Sequence, residues 1–403
     1  MRSHFLFMAA GSLFLLAGCS ETPVPFEPQL VNVPAGAPAT GPRISGDETT
    51  GLVLSWMEQD DDGASLHYAR LEDGTWSDAS VVVDGVDMFV NWADMPSVQP
   101  LGTGRLAAHW LQMSADMTYA YDVMFAQSAD DGQSWSEPIR PHSDGTETEH
   151  GFVSMFSDGN RTGLIWLDGR KMVNEVTDDP VASGMTLRAA SVDENQNVEQ
   201  EQLVDELICD CCQTDIAIAS SGPVAVYRDR SSAEIRDIYV TRYVDGQWLT
   251  GKPVASDNWK IPGCPVNGPS IVADGSFVAV AWFTGSGGRP VVRLSVSDDS
   301  GETFGEPLDV ADGSVLGRVG LVHLGKGAVA VSWLQSGADG SHDVVIRRIE
   351  AGVAGSVHTV AHNAGSFSVP QIALAGEDLI FVWTETEEFE NSVHSARVAA
   401  KAL

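Results

Sequence analysis

The chain has 403 residues and a formal net charge of −33, with 56 acidic side chains against 23 Lys and Arg. So acidic a protein repels polyanions, which excludes nucleic acid as an expected partner; an acidic coat favours a soluble monomer. The length allows two or three ordinary domains, or one long β architecture.

The first element is a leader. "MRSHFLFMAAGSLFLLAGCS" has a basic start at Arg2, a short apolar run and small residues before a cut, so residues 1–18 are predicted to be a signal peptide. The apolar run is shorter than the about 20 residues a membrane span needs. Leu16-Ala17-Gly18-Cys19 resembles the bacterial lipobox. The resemblance implies cleavage before Cys19, a lipid on its thiol and a membrane partner. With Ser20 rather than Asp next, it further implies the outer membrane of a bacterial cell envelope. Residues 19–26, which include "ETPVPFEP", then read as a tether, and 27–403 as a single domain.

A repeat fills that domain. A short apolar strand ending in an aromatic residue recurs every 50–61 residues, at Trp56, Trp110, Trp166, Tyr227, Trp282, Trp333 and Trp383. Each copy follows another apolar strand and a Gly-rich turn, as in "SIVADGSFVAVAW". Each precedes an alternating strand such as "DIYVTRY" and an outer strand such as "EPLDVAD". Four strands per unit, and no long stretch of helical period, predict an all-β, seven-bladed β-propeller. The last unit lacks its outer strand, and "EPQLVNVP" near Glu27–Val33 is expected to supply it and close the ring.

Two turns carry a family resemblance. "SADDGQSW" sets Ser128, Asp130, Gly132 and Trp135 in the spacing S-x-D-x-G-x-x-W, and "SDDSGETF" sets Ser297, Asp299, Gly301 and Phe304 in the same frame with Phe in place of Trp. Both resemble the Asp boxes of the sialidase superfamily, turns of structural rather than catalytic purpose that lie opposite the binding face. The resemblance implies a glycan-directed function. Sialidases are typically six-bladed, which makes six blades the alternative to the seven counted. They hold the substrate carboxylate with an arginine triad, and use an aspartic acid/base and a tyrosine nucleophile paired with a glutamate. Arg43-Ile44 resembles the start of their R-I-P motif, with Ser45 in place of Pro. Asp94 matches the acid/base position, and Arg230 or Arg236 with Arg289 would complete a triad. The family's tyrosine lies late in the chain, and here no tyrosine follows Tyr243.

In a propeller, the loops leading into each innermost strand share a face with those joining the second and third strands. The first set carries Arg43, Trp92, Asp94, His150 and Arg318; the second carries Asp168, Arg170, Arg228, Asp229, Arg230, Glu234, Arg236 and Arg289. Guanidinium groups bind carboxylate, sulfate or phosphate bidentately, so Arg43, Arg170, Arg228, Arg230, Arg236 and Arg289 are the candidate anion ligands. The alternative is that the interleaved Asp and Arg pair among themselves to brace the loops. Asp94 and Asp168 are the candidate carboxylates for acid/base work on a glycan.

"ICDCCQTDIA" and "GCPVNGPS" place Cys209, Cys211, Cys212 and Cys264 on neighbouring leading loops of the same face, near His150. Export implies an oxidising setting and hence disulfides, with connectivity open. A copper or zinc site built from these thiols and His150 is one alternative and a redox-active pair another; no cofactor is otherwise expected. Two functions follow: an envelope lipoprotein whose Arg- and Cys-rich face holds an anionic small molecule or glycan, or an exo-α-sialidase-like glycoside hydrolase with altered catalytic residues.

Overall fold

The structure is a computed structural model describing residues 24–173 and 180–403; the leader, Cys19 and the tether up to residue 23 lie outside the described residues. The described chain forms seven antiparallel sheets, each read from its inner strand outward. The inner strands are Ala39–Ser45, Ser97–Gly102, His150–Asp158, Asp215–Ala219, Ser270–Asp274, Val315–Gly325 and Gln371–Ala375, for blades one to seven. The blade count is therefore seven, not the six of the alternative.

Why the aromatic repeats is clear from packing. Seven apolar clusters hold the molecule together, each lying between two neighbouring blades. Each repeated aromatic sits in the cluster its blade shares with the preceding one: Trp110 with blade one, Trp166 with blade two, Trp56 with blade seven. All seven are buried, and the indole or phenol groups of Trp56, Trp166, Tyr227, Trp282, Trp333 and Trp383 find acceptors. Trp56, Trp166 and Trp383 donate to the carboxylate two residues on, at 2.9, 2.9 and 2.8 Å. Tyr227 instead reaches Asp205 of blade three, 2.6 Å away.

Ring closure follows the expectation from the sequence. Gln29–Val31 runs antiparallel to the last long strand, with Gln29 opposite Arg397 and Val31 opposite Ser395. Blade two departs from the four-strand pattern. Its outer strand shrinks to Ile139, which exchanges two backbone bonds with Phe125 at 2.8 and 2.9 Å. Pro138 and Pro141 flank that residue, and proline has no N–H to extend a ladder.

The turns at Ser128–Trp135 and Ser297–Phe304 follow the third strands of blades two and five. Their bonds are the same. Ser128 Oγ donates to Asp130 (2.8 Å) and accepts from the Gly132 N–H (2.9 Å); Ser297 does so with Asp299 (2.7 Å) and Gly301 (2.9 Å). Gly132 has φ +85° and lies against the Tyr68 hydroxyl, so a side chain there would be both strained and blocked.

Candidate functional site

Strand register builds a ring at one level of the central channel. In each blade the residue just before the repeated aromatic pairs with one inner-strand residue. These partners are Arg43, Ser97, Ser154 and Asp215 in blades one to four. They are Ser270, Gly320 and Gln371 in blades five to seven. All seven line a cavity of about 550 Å³. The layer thus holds one cation, Arg43, and one anion, Asp215, three blades apart. Asp215 is occupied: its Oδ2 accepts from Ser270 Oγ (3.1 Å) and the Ile271 N–H (2.9 Å). Arg43 has no ion pair among the described residues, and the acidic charges acting on it are those of Asp215 and Asp94.

Arg318 is the second arginine lining this cavity. Its guanidinium lies over the Trp92 ring, 5.1 Å from the centroid, and Trp92 packs against the exposed ring of Phe367, also at 5.1 Å. Its Nε is buried without a hydrogen-bond acceptor. The backbone at Arg318 has φ +56°, held by an N–H bond to Asn267 Oδ1 at 2.7 Å. Gln213 leans from blade four past blade three, donating to the Ala93 carbonyl at 2.7 Å. The Cys-rich loop therefore forms part of the channel mouth.

Asp94 lies at the same mouth but is only 1% exposed. Its Oδ1 accepts from the Phe152 N–H at 2.7 Å. The Tyr121 hydroxyl lies 3.0 Å from Asp94 Oδ2 and 2.8 Å from Glu149 Oε1. Burial pushes both carboxyls up to about 7. The Tyr121 bond opposes the rise in each, Asp94 is further opposed by the Phe152 N–H and Arg43, and the Asp94 charge adds to the rise at Glu149. Sequence reasoning sought a tyrosine late in the chain and so passed over Tyr121 and Glu149. The signal available was that Tyr121 opens a third strand and Glu149 precedes an inner one, on the same face as Asp94.

Asp168 is fully buried, where burial favours its neutral form. The Arg170 fork at 2.6 and 2.7 Å, together with His150 and the Trp166 indole, nevertheless holds the carboxyl below its ordinary range. It occupies the indole-accepting position of the repeat. His150 does not join the cysteines. It stacks on His142 with centroids 4.0 Å apart, and its ring faces Asp144, Asp122 and Asp168 at 3.3, 3.7 and 3.8 Å.

The other arginines are engaged within the protein. Arg170 also meets Asp144 (3.3 Å) and Glu201 (2.7 Å). Arg228, 2% exposed, donates to the carbonyls of Asn267, Arg236 and Phe283 and lies over Trp259. Arg230 and Arg236 share Glu234, and Asp210 lies 3.3 and 3.8 Å from them. Arg289 is half exposed at the surface and pairs with Asp309 and Asp312. Interleaved Asp and Arg side chains thus brace the loops, and the structure does not converge these arginines on one point.

Cys211 and Cys264 form a disulfide with Cα atoms 6.1 Å apart, joining the loops of blades four and five. Cys209 and Cys212 are buried thiols with Sγ atoms 3.4 Å apart. Cys209 accepts from Arg236 Nη1 at 3.3 Å and Cys212 from the Asn267 N–H at 3.4 Å. The Cys212 bond, with the charges of Arg228 and Arg236, brings the Cys209 thiol down to about 6 despite its burial. The Sγ atoms of Cys209, Cys211 and Cys212 lie within 4.8 Å of one another, a set that would suit a soft metal ion.

No family model matches the chain, and no curated protein does. Solved structures resemble it distantly. The structure named NanB plus Optactamide is 10% identical over 88% of this chain and 84% of that one, with TM-score 0.46. AofleA from Arthrobotrys oligospora is 12% identical over 83% and 90%, with TM-score 0.46. A mutant Trypanosoma rangeli sialidase displaying trans-sialidase activity is 11% identical over 90% and 55%, with TM-score 0.46. At such identities no residue is carried over from them, and the assignment of the site rests on this chain's own geometry.

Proposed function

We propose that this protein is a cell-envelope binding protein whose channel mouth holds an anionic ligand, a glycan bearing a carboxylate or sulfate. The observation that carries the reading is the pair Arg43 and Arg318. Both line the cavity, and neither has an ion pair among the described residues, in a protein of net charge −33. Trp92 and Phe367 beside Arg318 add an apolar platform of the kind a sugar ring packs on. Titration calorimetry with N-acetylneuraminate, a sulfated oligosaccharide and inorganic phosphate tests it. A hydrogen bond to a charged group contributes about 1.5–3 kcal/mol. Arg43→Ala and Arg318→Ala should therefore each weaken binding at least tenfold, while Arg289→Ala should not. Equal binding by all three variants and wild type overturns the reading.

Anchoring through a lipid on Cys19 belongs to the same proposal. Mass spectrometry of the mature protein should find the lipid, and Cys19→Ser should lack it and fractionate as soluble protein.

One observation favours a second reading, glycoside hydrolysis: a tyrosine hydroxyl set between two carboxyls that are both near half-protonated at neutral pH. Release of an aryl group from aryl sialosides that is abolished by Tyr121→Phe would support it. No release by wild type sets it aside.

A further inference from the structure

The four cysteines are divided by depth. The disulfide is outermost, with Cys264 exposed and Cys211 half-buried, while the two thiols beneath are each 1% exposed. A buried dithiol cannot meet an external reagent directly. Yet the Cys209 and Cys212 sulfurs lie within 4.8 Å of the Cys211 sulfur. Arg236 donates to the Cys209 sulfur, which favours the thiolate, the nucleophile in disulfide exchange. A reduced pair under cover thus touches an oxidised pair that faces solvent.

We propose that Cys209, Cys212, Cys211 and Cys264 form a thiol–disulfide relay that carries two electrons from the buried pair to the exposed pair, and from there to an external disulfide. In the first step the Cys209 thiolate attacks Cys211 Sγ. The Cys211–Cys264 bond breaks, and Cys264 leaves as a thiolate that takes a proton from solvent. Cys212 then loses its proton and attacks Cys209 Sγ, releasing Cys211 as a thiolate that is protonated in turn. The protein still holds one disulfide, now Cys209–Cys212, and two thiols, now Cys211 and Cys264, so the exchange needs no outside reagent. In the last step the exposed dithiol reduces one external disulfide to two thiols and reforms Cys211–Cys264. The partner is defined by that chemistry: a small-molecule or protein disulfide able to reach Cys264. This activity is independent of ligand binding at the channel.

The test uses the full chain with its one disulfide per molecule and no added reductant. Native alkylation with iodoacetamide is followed by unfolding and mass mapping. The relay predicts chains alkylated on Cys211 and Cys264 that carry a Cys209–Cys212 disulfide. In Cys212→Ser the relay stops halfway, leaving a Cys209–Cys211 disulfide and a Cys264 that alkylates in the native state. With oxidised glutathione, the Cys211→Ser/Cys264→Ser variant should oxidise its buried pair at least tenfold more slowly than wild type. Wild-type chains alkylated only on Cys209 and Cys212, or not at all, overturn the proposal. So does an unchanged oxidation rate in the double variant. Thiols that react only after a chelator is added also overturn it and assign the cluster to a metal ion.

Discussion

Asp94 and Glu149 share the Tyr121 hydroxyl at 3.0 and 2.8 Å, and this sharing has a consequence for stability. Both carboxyls titrate near 7 in the folded chain, against about 4 when unfolded. Between those limits the folded state binds protons that the unfolded state lacks, so stability falls as pH rises from about 4 to about 7 and levels above. Burial opposes the charge on His150, but its Asp144 bond and the neighbouring carboxylates raise it, so it extends the fall above about 6.5, as its contribution is lost while pH climbs through its folded value. Asp168, held low, works at the other end and loses its contribution under strong acid. Thermal melts should therefore peak in mild acid, and Asp94→Asn should flatten the slope between pH 5 and 7 by up to about 1.4 kcal/mol per pH unit. An unchanged slope would show that Asp94 titrates normally. Gly151 makes room for this group, since a Cβ there would overlap Asp94 Oδ2. Gly151→Ala should cost roughly 1–3 kcal/mol, readable by urea unfolding. Arg228 gives the clearest separation of bracing from binding. Arg228→Met strands three buried carbonyls and should destabilise by roughly 3–5 kcal/mol.

At the scale of the element, the closing strand matters most. Gln29–Val31 covers the outer edge of Glu390–Ala399, a strand of 10 residues. An uncovered edge of that length is a template for pairing with another chain. Removing residues 24–33 should lower the Tm and produce concentration-dependent association in sedimentation velocity. A truncated chain that stays monomeric with an unchanged Tm would show that closure contributes nothing. The turns at Asp130 and Asp299 act locally, each carboxylate binding a backbone N–H and a hydroxyl of its own loop. Their loss should leave the channel face untouched.

At the scale of the whole molecule, stability is spread over seven similar interfaces rather than one core. Truncating any one repeated aromatic opens a cavity between two blades. Trp333→Ala should cost about 3–5 kcal/mol, measured by chemical denaturation, without altering anion binding at the mouth. The same design keeps the channel free for function, because the apolar packing lies between the sheets.

Much of this architecture was legible in the sequence because it depends on local patterning repeated seven times. Period-two alternation, Gly-rich turns and an aromatic every 50–61 residues specify a blade, and the missing last strand specifies where the N-terminus returns. The loops that share the channel face follow from the order of strands alone. Which side chains within those loops remain free did not. Arg170, Arg228 and Arg230 read as ligands on composition, but their partners Glu201, Asn267 and Asp210 become neighbours only in three dimensions. Arg43 and Arg318 stand out for the opposite reason, since the ring brings them to one cavity and neither forms an ion pair among the described residues. Tyr121 and Glu149 are 28 residues apart in sequence and meet only because two blades pack. Cysteine spacing marked a cluster. Burial, a tertiary property, decided that Cys211 and Cys264 face outward as a bridge while Cys209 and Cys212 lie beneath as thiols.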